Sequence, residues 1–266
     1  MSDFLAQMAA TSRERADQAG AFSESDFDKP VTPLKLDGFE VIAELKDRSP
    51  AEGALKTTGT NRLDQARRYV DGGAAAISVL TEPSRFDGSL DHLEAVSAAC
   101  PGTPVMRKDF LVDPVQVLEA RRAGASGVLL IATMLDDRAL RGLLDCAWEH
   151  GLFVLLESFD SDDLKRSRDL LESDGDRAET GQLLFGVNTR NLRTLAVDSE
   201  RLKRLSPELP KGFCVAESGL KVAADAARVA RQGYRLALVG TALMRSDAPA
   251  ALIAAMREEG TGALAA

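Results

Sequence analysis

The sequence predicts a single α/β domain folded as a (β/α)8 barrel behind an N-terminal helical extension. Three observations carry this. Eight short apolar runs recur after residue 38, each followed by a polar or glycine-bearing turn and then a helical pattern. The runs are spaced by roughly 20 to 40 residues, which leaves one crossover helix between successive parallel strands. The chain has 266 residues, close to the ~250 that one such barrel requires.

In chain order, residues 1–38 form the extension and residues 39–260 the barrel. "SDFLAQMAATSRERADQAG" can form an amphipathic helix with Ser2 as N-cap. "AFSESDFDKPVTPLKLDG" is acidic, carries two prolines and reads as a linker. Strands are predicted at 39–46, 75–81, 104–110, 127–133, 152–158, 183–190, 213–219 and 236–243. The intervening segments include "NRLDQARRYVDGG", "PVQVLEARRAGA", "DRALRGLLDCAWEHG" and "VAADAARVARQG". Several end in Gly, the usual residue just past a helix C-terminus. "SDGDRAETGQ" (173–182) reads as a polar surface loop and "EEGTGALAA" as a frayed tail. "DLKRSRDLLESDGD" reads as the solvated face of a helix. Trp148 and His150 are expected to pack and cap before strand five, and His92 to be exposed.

Composition restricts the function. The chain is 45% hydrophobic but only 5% aromatic, so its core is aliphatic. A formal charge of −8 and a pI near 5.0 argue against nucleic acid or an anionic membrane as partner. A small anion is still accommodated, because the field inside a pocket is local. Cys100, Cys146 and Cys214 form no CxxC pair and read as free thiols of a reducing, cytoplasmic compartment. His92 and His150 belong to no metal-binding motif, so no metal is expected. No basic leader precedes a long apolar run, and no apolar stretch approaches the ~20 residues of a membrane span.

Strand parity then selects the site. Side chains alternate faces along a strand. Glu44 and Lys46 share a face with Ile42; Lys108 aligns with Met106 and Phe110; Glu157 with Leu155; Asn188 and Arg190 with Gly186; and Glu217 with Val215 and Gly219. Each polar residue stands at the C-terminal end of its strand, the end that carries the active site of barrel enzymes. Any one of these charges alone reads as a solvated rim residue. Seven on one parity at one end read as a general acid/base cluster, with a structural ion-pair network as the alternative. In "VMRKDF", Arg107 and Asp109 have the opposite parity and are expected to pair with each other or with neighbouring strand ends. "ESGL" and "VGTAL" place Gly219, Gly240 and Thr241 before the last helices, where barrels often hold phosphate on backbone N–H groups.

With these residues in view, the chain resembles the indole-3-glycerol phosphate synthase family over nearly all of residues 39–250. "IAELKDRSPAEG" is similar to the family's first-strand block, and "SVLTEPSRFDGS" to its second loop. "MRKDFLVDPVQVLEARRAGASGVLLIA" resembles its third and fourth units. "GVNTRNLRTLAVD", "VAESGL" and "LVGTALMRSDAP" resemble its last three. The resemblance implies decarboxylative, dehydrative ring closure of 1-(2-carboxyphenylamino)-1-deoxyribulose 5-phosphate, in tryptophan biosynthesis, without metal or organic cofactor. It assigns Lys108 as general acid, with Glu44 expected as its neighbour. Glu157 serves the dehydration with Lys46 and Glu44, and Asn188 holds the intermediate's hydroxyl. Arg190 and Lys46 bind anionic groups, and Glu217 and Ser218 orient hydroxyls. Gly219, Gly240 and Thr241 cradle the phosphate. Phe110 and Leu129, with Leu192, wall the aromatic ring, and Ser49 and Pro50 shape the first loop.

Two blocks depart from the family pattern. S-P-S-K-G is replaced by Ser49-Pro50-Ala51-Glu52-Gly53, and N-N-R-D-L by Asn188-Thr189-Arg190-Asn191-Leu192. A specialised paralogue acting on a substituted anthranilate-derived substrate, and a non-catalytic sugar-phosphate-binding barrel, are the alternatives. The preceding isomerase of the same pathway is disfavoured, because that family places a Cys near the end of its first strand, where this chain reads "ELK". The expected state is a monomer.

Overall fold

The computed structural model describes residues 4–49, 53–54, 61–190, 192 and 196–266. Eight parallel strands close into a barrel: β1 (Glu40–Leu45), β2 (Ala76–Leu80), β3 (Val105–Lys108), β4 (Gly127–Ile131), β5 (Phe153–Ser158), β6 (Leu183–Asn188), β7 (Phe213–Glu217) and β8 (Leu236–Val239). Neighbours pair in sequence order and β8 closes on β1, with Glu40 opposite Leu236. All eight predicted strands are present. Most end earlier than the apolar runs suggest. β3 stops at Lys108, so Asp109 and Phe110 already belong to the loop; β8 stops at Val239, and Gly240 caps the helix Thr241–Arg245.

Alternation sorts the interior into two layers. Ile42, Met106, Leu129, Leu155, Leu184, Val215 and Leu238 fill the barrel. Val41, Ala43, Leu45, Val128, Leu156, Phe185 and Ala216 pack under the surrounding helices. Helix starts are fixed locally. Asn61 accepts from the Leu63 N–H, and Asp113 with Gln116 forms a capping box ahead of Pro114.

The helix Phe4–Ala16 forms as expected, with Ser2 outside the described residues. Three expectations are corrected. Residues 173–179 are not a loop: the helix Ser161–Glu179 runs through them, with a break in helical geometry at Asp174, a residue that pairs with Arg141 at 2.8 Å. The tail is helix rather than frayed. The helix Pro249–Leu264 continues because Gly260 lets it lie against the Phe39 ring and Thr261 Oγ1 accepts from the Phe39 N–H at 3.0 Å. His92 is half-buried, because the helix Leu90–Ala99 turns it partly inward. Cys100 and Cys214 are buried and Cys146 partly so, all as free thiols. Trp148 is buried, its indole Nε1–H directed at Gln182 O (3.4 Å), and His150 caps its helix against the Phe27 ring. No helix among the described residues is long and apolar enough to cross a membrane.

Candidate active site

The C-terminal mouth of the barrel opens into a cavity of about 970 Å³. Glu44, Lys46, Lys108, Glu157, Asn188, Arg190 and Glu217 all line it, as strand parity requires. Phe110, Leu129, Leu192, Ser218, Gly219, Gly240 and Thr241 line it as well. Pro50, Ala51, Glu52 and Asn191 lie outside the described residues; the backbone of Ser49 pairs with that of Gly53 in a short antiparallel bridge.

Two charge groupings stand inside the cavity. In the first, Lys108 Nζ is 3.3 Å from Glu157 Oε2 and equally 3.3 Å from Glu217 Oε2. Both carboxylates are 1% exposed. In the second, Lys46 Nζ lies 2.6 Å from Glu44 Oε2. Glu44, the expected neighbour of Lys108, acts on that ammonium electrostatically, but its direct ion pair is with Lys46. The side chains of β5 and β7 converge on Lys108, whereas the Glu44 carboxylate on β1 turns to Lys46.

Two glycines make room for these long side chains. A Cβ at position 186 would overlap Glu217 Oε1, and one at 240 would overlap Glu44 Oε2 and crowd Lys46 Nζ. Both share the inward parity of the charged residues.

The electrostatics follow from this crowding. Burial alone would depress the Lys108 ammonium, but Glu157, Glu217 and Glu44 outweigh it and hold the group above its ordinary range. Burial and the Glu157 charge push Glu217 well above the usual carboxylate range, against the pull of Lys108. Glu44 goes the other way. Burial opposes its ionisation, yet Lys46, Lys108 and Arg190 hold it below the usual range. Groups in the mouth are thus shifted in opposite directions, Lys108 and Glu217 upward and Glu44 downward, the kind of spread that acid/base catalysis uses.

Around this centre, Asn188 Oδ1 accepts from the Arg190 N–H at 2.8 Å, and Thr189 Oγ1 donates to Glu217 O and Ser218 O at 3.2 and 3.1 Å. Thr189, one of the departures from the family pattern, therefore ties the end of β6 to the end of β7. Ser218 and Gly219 both have positive φ, 66° and 82°. A non-glycine residue rarely adopts this region, and at a cavity wall it marks a turn held for a purpose. Arg107 and Asp109 pair as expected, Nη2 to Oδ2 at 3.1 Å, on the outer face.

Sequence reasoning missed part of the apolar wall. Phe4 meets Phe110 edge-on with centroids 5.8 Å apart, and Phe86 lies 6.1 Å from the same ring. Ile131 and Leu238 also line the cavity and carried the inward parity that could have revealed them. Phe4 carried no such signal, since its helix lies outside the barrel repeat.

The molecule belongs to the (β/α)8-barrel enzymes, with buried acidic and basic side chains gathered at the C-terminal mouth and glycine turns after its last two strands. Residues 6–256 match the family model described as indole-3-glycerol phosphate synthase. A protein of that name from a Nocardioides species is 47% identical over 229 residues, covering 85% of this chain and 84% of the relative. One from Koribacter versatilis is 39% identical, covering 92% and 90%, and one from Mycobacterium leprae is 40% identical, covering 98% and 91%. The barrel is also similar to 3-hexulose-6-phosphate synthase from Salmonella typhimurium, with a TM-score of 0.64 at 18% identity, over 84% of this chain and 99% of that one, a likeness of fold alone. The chain belongs to the indole-3-glycerol phosphate synthase family, carboxy-lyases of tryptophan biosynthesis.

Proposed function

We propose that this chain closes the indole ring of 1-(2-carboxyphenylamino)-1-deoxyribulose 5-phosphate, releasing CO2 and water to give indole-3-glycerol phosphate. One observation carries the assignment of roles: Lys108 Nζ stands equidistant from two buried carboxylates at 3.3 Å, free to turn toward a substrate oxygen without leaving a single fixed partner.

Lys108 gives its proton to the ketone oxygen as the ring carbon bearing the carboxylate attacks the carbonyl carbon. The new carbon–carbon bond forms, the carbonyl π pair takes up that proton as the hydroxyl, and the ring is left with a positive charge that the loss of CO2 relieves; before the transfer the ammonium is held between Glu157 and Glu217. Loss of the carboxylate as CO2 returns its bonding electrons to the ring. Dehydration then needs an acid at the departing hydroxyl and a base for the ring proton. Glu157 serves this step with the Lys46–Glu44 pair, 2.6 Å apart. Asn188 holds the intermediate's hydroxyl, and Arg190 with Lys46 receives the substrate carboxylate. Glu217 and Ser218 orient the sugar hydroxyls, and the turns at Gly219, Gly240 and Thr241 take the phosphate. Phe110, Leu129 and Leu192 form the aromatic wall, supported by Phe4 and Phe86. The −8 charge and free thiols support a cytoplasmic protein with no nucleic-acid partner, and we take it to act as a monomer.

The test mixes purified protein with this substrate and follows indole fluorescence. Wild-type turnover that falls by at least ~100-fold in Lys108→Ala is expected. Folded wild-type protein that binds the substrate without converting it would overturn the reading and point to a substituted substrate or a non-catalytic barrel.

A further inference from the structure

We propose that Arg15, on the N-terminal helix, is a positioning residue for Lys108, acting through Asp109. The proposal rests on the acid role given to Lys108 above.

Asp109 is the residue next to Lys108, facing outward. Its carboxylate is fully buried and takes five donors. Arg15 Nη1 and Nη2 reach it at 3.1 and 2.8 Å, Arg107 Nη2 at 3.1 Å, Thr81 Oγ1 at 2.7 Å and the Phe110 N–H at 2.8 Å. Thr81 is held to the same strand end a second time, its N–H donating to Lys108 O at 3.0 Å. The residues flanking Lys108 are thus tied to one carboxylate, Arg107 through its guanidinium and Phe110 through its N–H, and two of the five bonds come from a helix 94 residues earlier in the chain.

Two further contacts fasten the same helix to the same segment. Phe4 packs edge-on against Phe110, and Gln116 Nε2 donates to Ser12 Oγ at 2.8 Å. The helix is therefore clamped over residues 109–116, immediately beyond the acid. A forked guanidinium–carboxylate bond specifies direction as well as proximity. Buried ion pairs contribute little net stability compared with apolar packing, and the apolar contact is already supplied by Phe4. What the Arg15 fork adds is orientation. Orientation is what Lys108 needs, because a small rotation of the strand end would end its equal spacing from Glu157 and Glu217 and pair it with one of them.

The test compares Arg15→Ala, Arg15→Lys and Ser12→Ala. Ser12→Ala loosens the same helix without touching Asp109. The expected result is a kcat about 10- to 100-fold lower in Arg15→Ala with KM changed less than about threefold, partial recovery in Arg15→Lys, and near-wild-type kcat in Ser12→Ala. An unchanged kcat in folded Arg15→Ala, or an equal loss in Ser12→Ala, would overturn the proposal. If Arg15→Ala does not fold, Arg15→Lys carries the same comparison with one donor lost. Amide hydrogen exchange supplies a readout independent of turnover. Phe110 and Thr81 should exchange at least about tenfold faster in the Arg15 variants while β5 and β6 stay protected, and unaltered exchange at both would equally sink the idea. Failure of wild-type turnover would refute the assigned reaction, whereas the exchange comparison would still decide whether Arg15 holds the strand end.

Discussion

Glu217 Oε1 occupies the space that the Cβ of any larger residue at position 186 would need. The acid/base cluster therefore depends on a residue that carries no functional group. Gly186→Ala should force either Glu217 away from Lys108 or β6 outward. Overpacking of this kind costs about 1–3 kcal/mol, and turnover should fall more than tenfold. Urea unfolding and the fluorescence assay on the same preparation check both. Unchanged kinetics would show that Glu217 can leave its position without consequence.

Glu217→Gln should separate stability from activity. The folded-state pKa of Glu217 is raised above its unfolded value by burial and by Glu157. The folded protein therefore binds more protons than the unfolded chain, and stability falls as pH rises from the ordinary glutamate value through the raised one. Glutamine fills the same space without that titration. The variant should gain stability relative to wild type as pH increases while losing turnover. Denaturation midpoints at pH 5 and pH 8 decide it, and a variant that loses stability equally at both would refute the argument.

Asp163 offers the same test away from the cluster. Burial pushes it up to about 6, partly opposed by the Phe159 N–H, which donates to its Oδ2 at 2.9 Å. Its contribution to stability declines as pH rises between the ordinary aspartate value and about 6. Asp163→Asn keeps an acceptor for Phe159 and removes the charge. The difference between variant and wild type should favour the variant at pH 7.5 and vanish near pH 4. A difference independent of pH would contradict the assignment.

Two glycines of the last helix should respond in opposite senses. A Cβ at Gly260 would enter the Phe39 ring, whereas Gly262 has nothing within 4 Å. Alanine is the better helix former by about 1 kcal/mol, so Gly262→Ala should stabilise by about that amount. Gly260→Ala should lose about 1–3 kcal/mol, because the clash outweighs the propensity. Melting temperatures of the two variants check the sign of each.

The barrel, its eight strands and the seven polar side chains at one end were legible in the amino-acid order alone. These rest on local rules: a period of two along a strand and glycine after a helix, both readable within a few residues. The same locality explains why Arg107 and Asp109, two residues apart, were legible as a pair. Which charges meet is a property of the closed barrel. Lys108 joins Glu157 and Glu217 rather than Glu44 because barrel closure and register bring β5 and β7 to it. Closure likewise decided that Gly186 and Gly240 are clearances, that residues 258–264 are helix against Phe39, and that Arg15 reaches Asp109. Distances across a closed sheet follow from how all eight strands stagger together, and no short window of sequence contains that information.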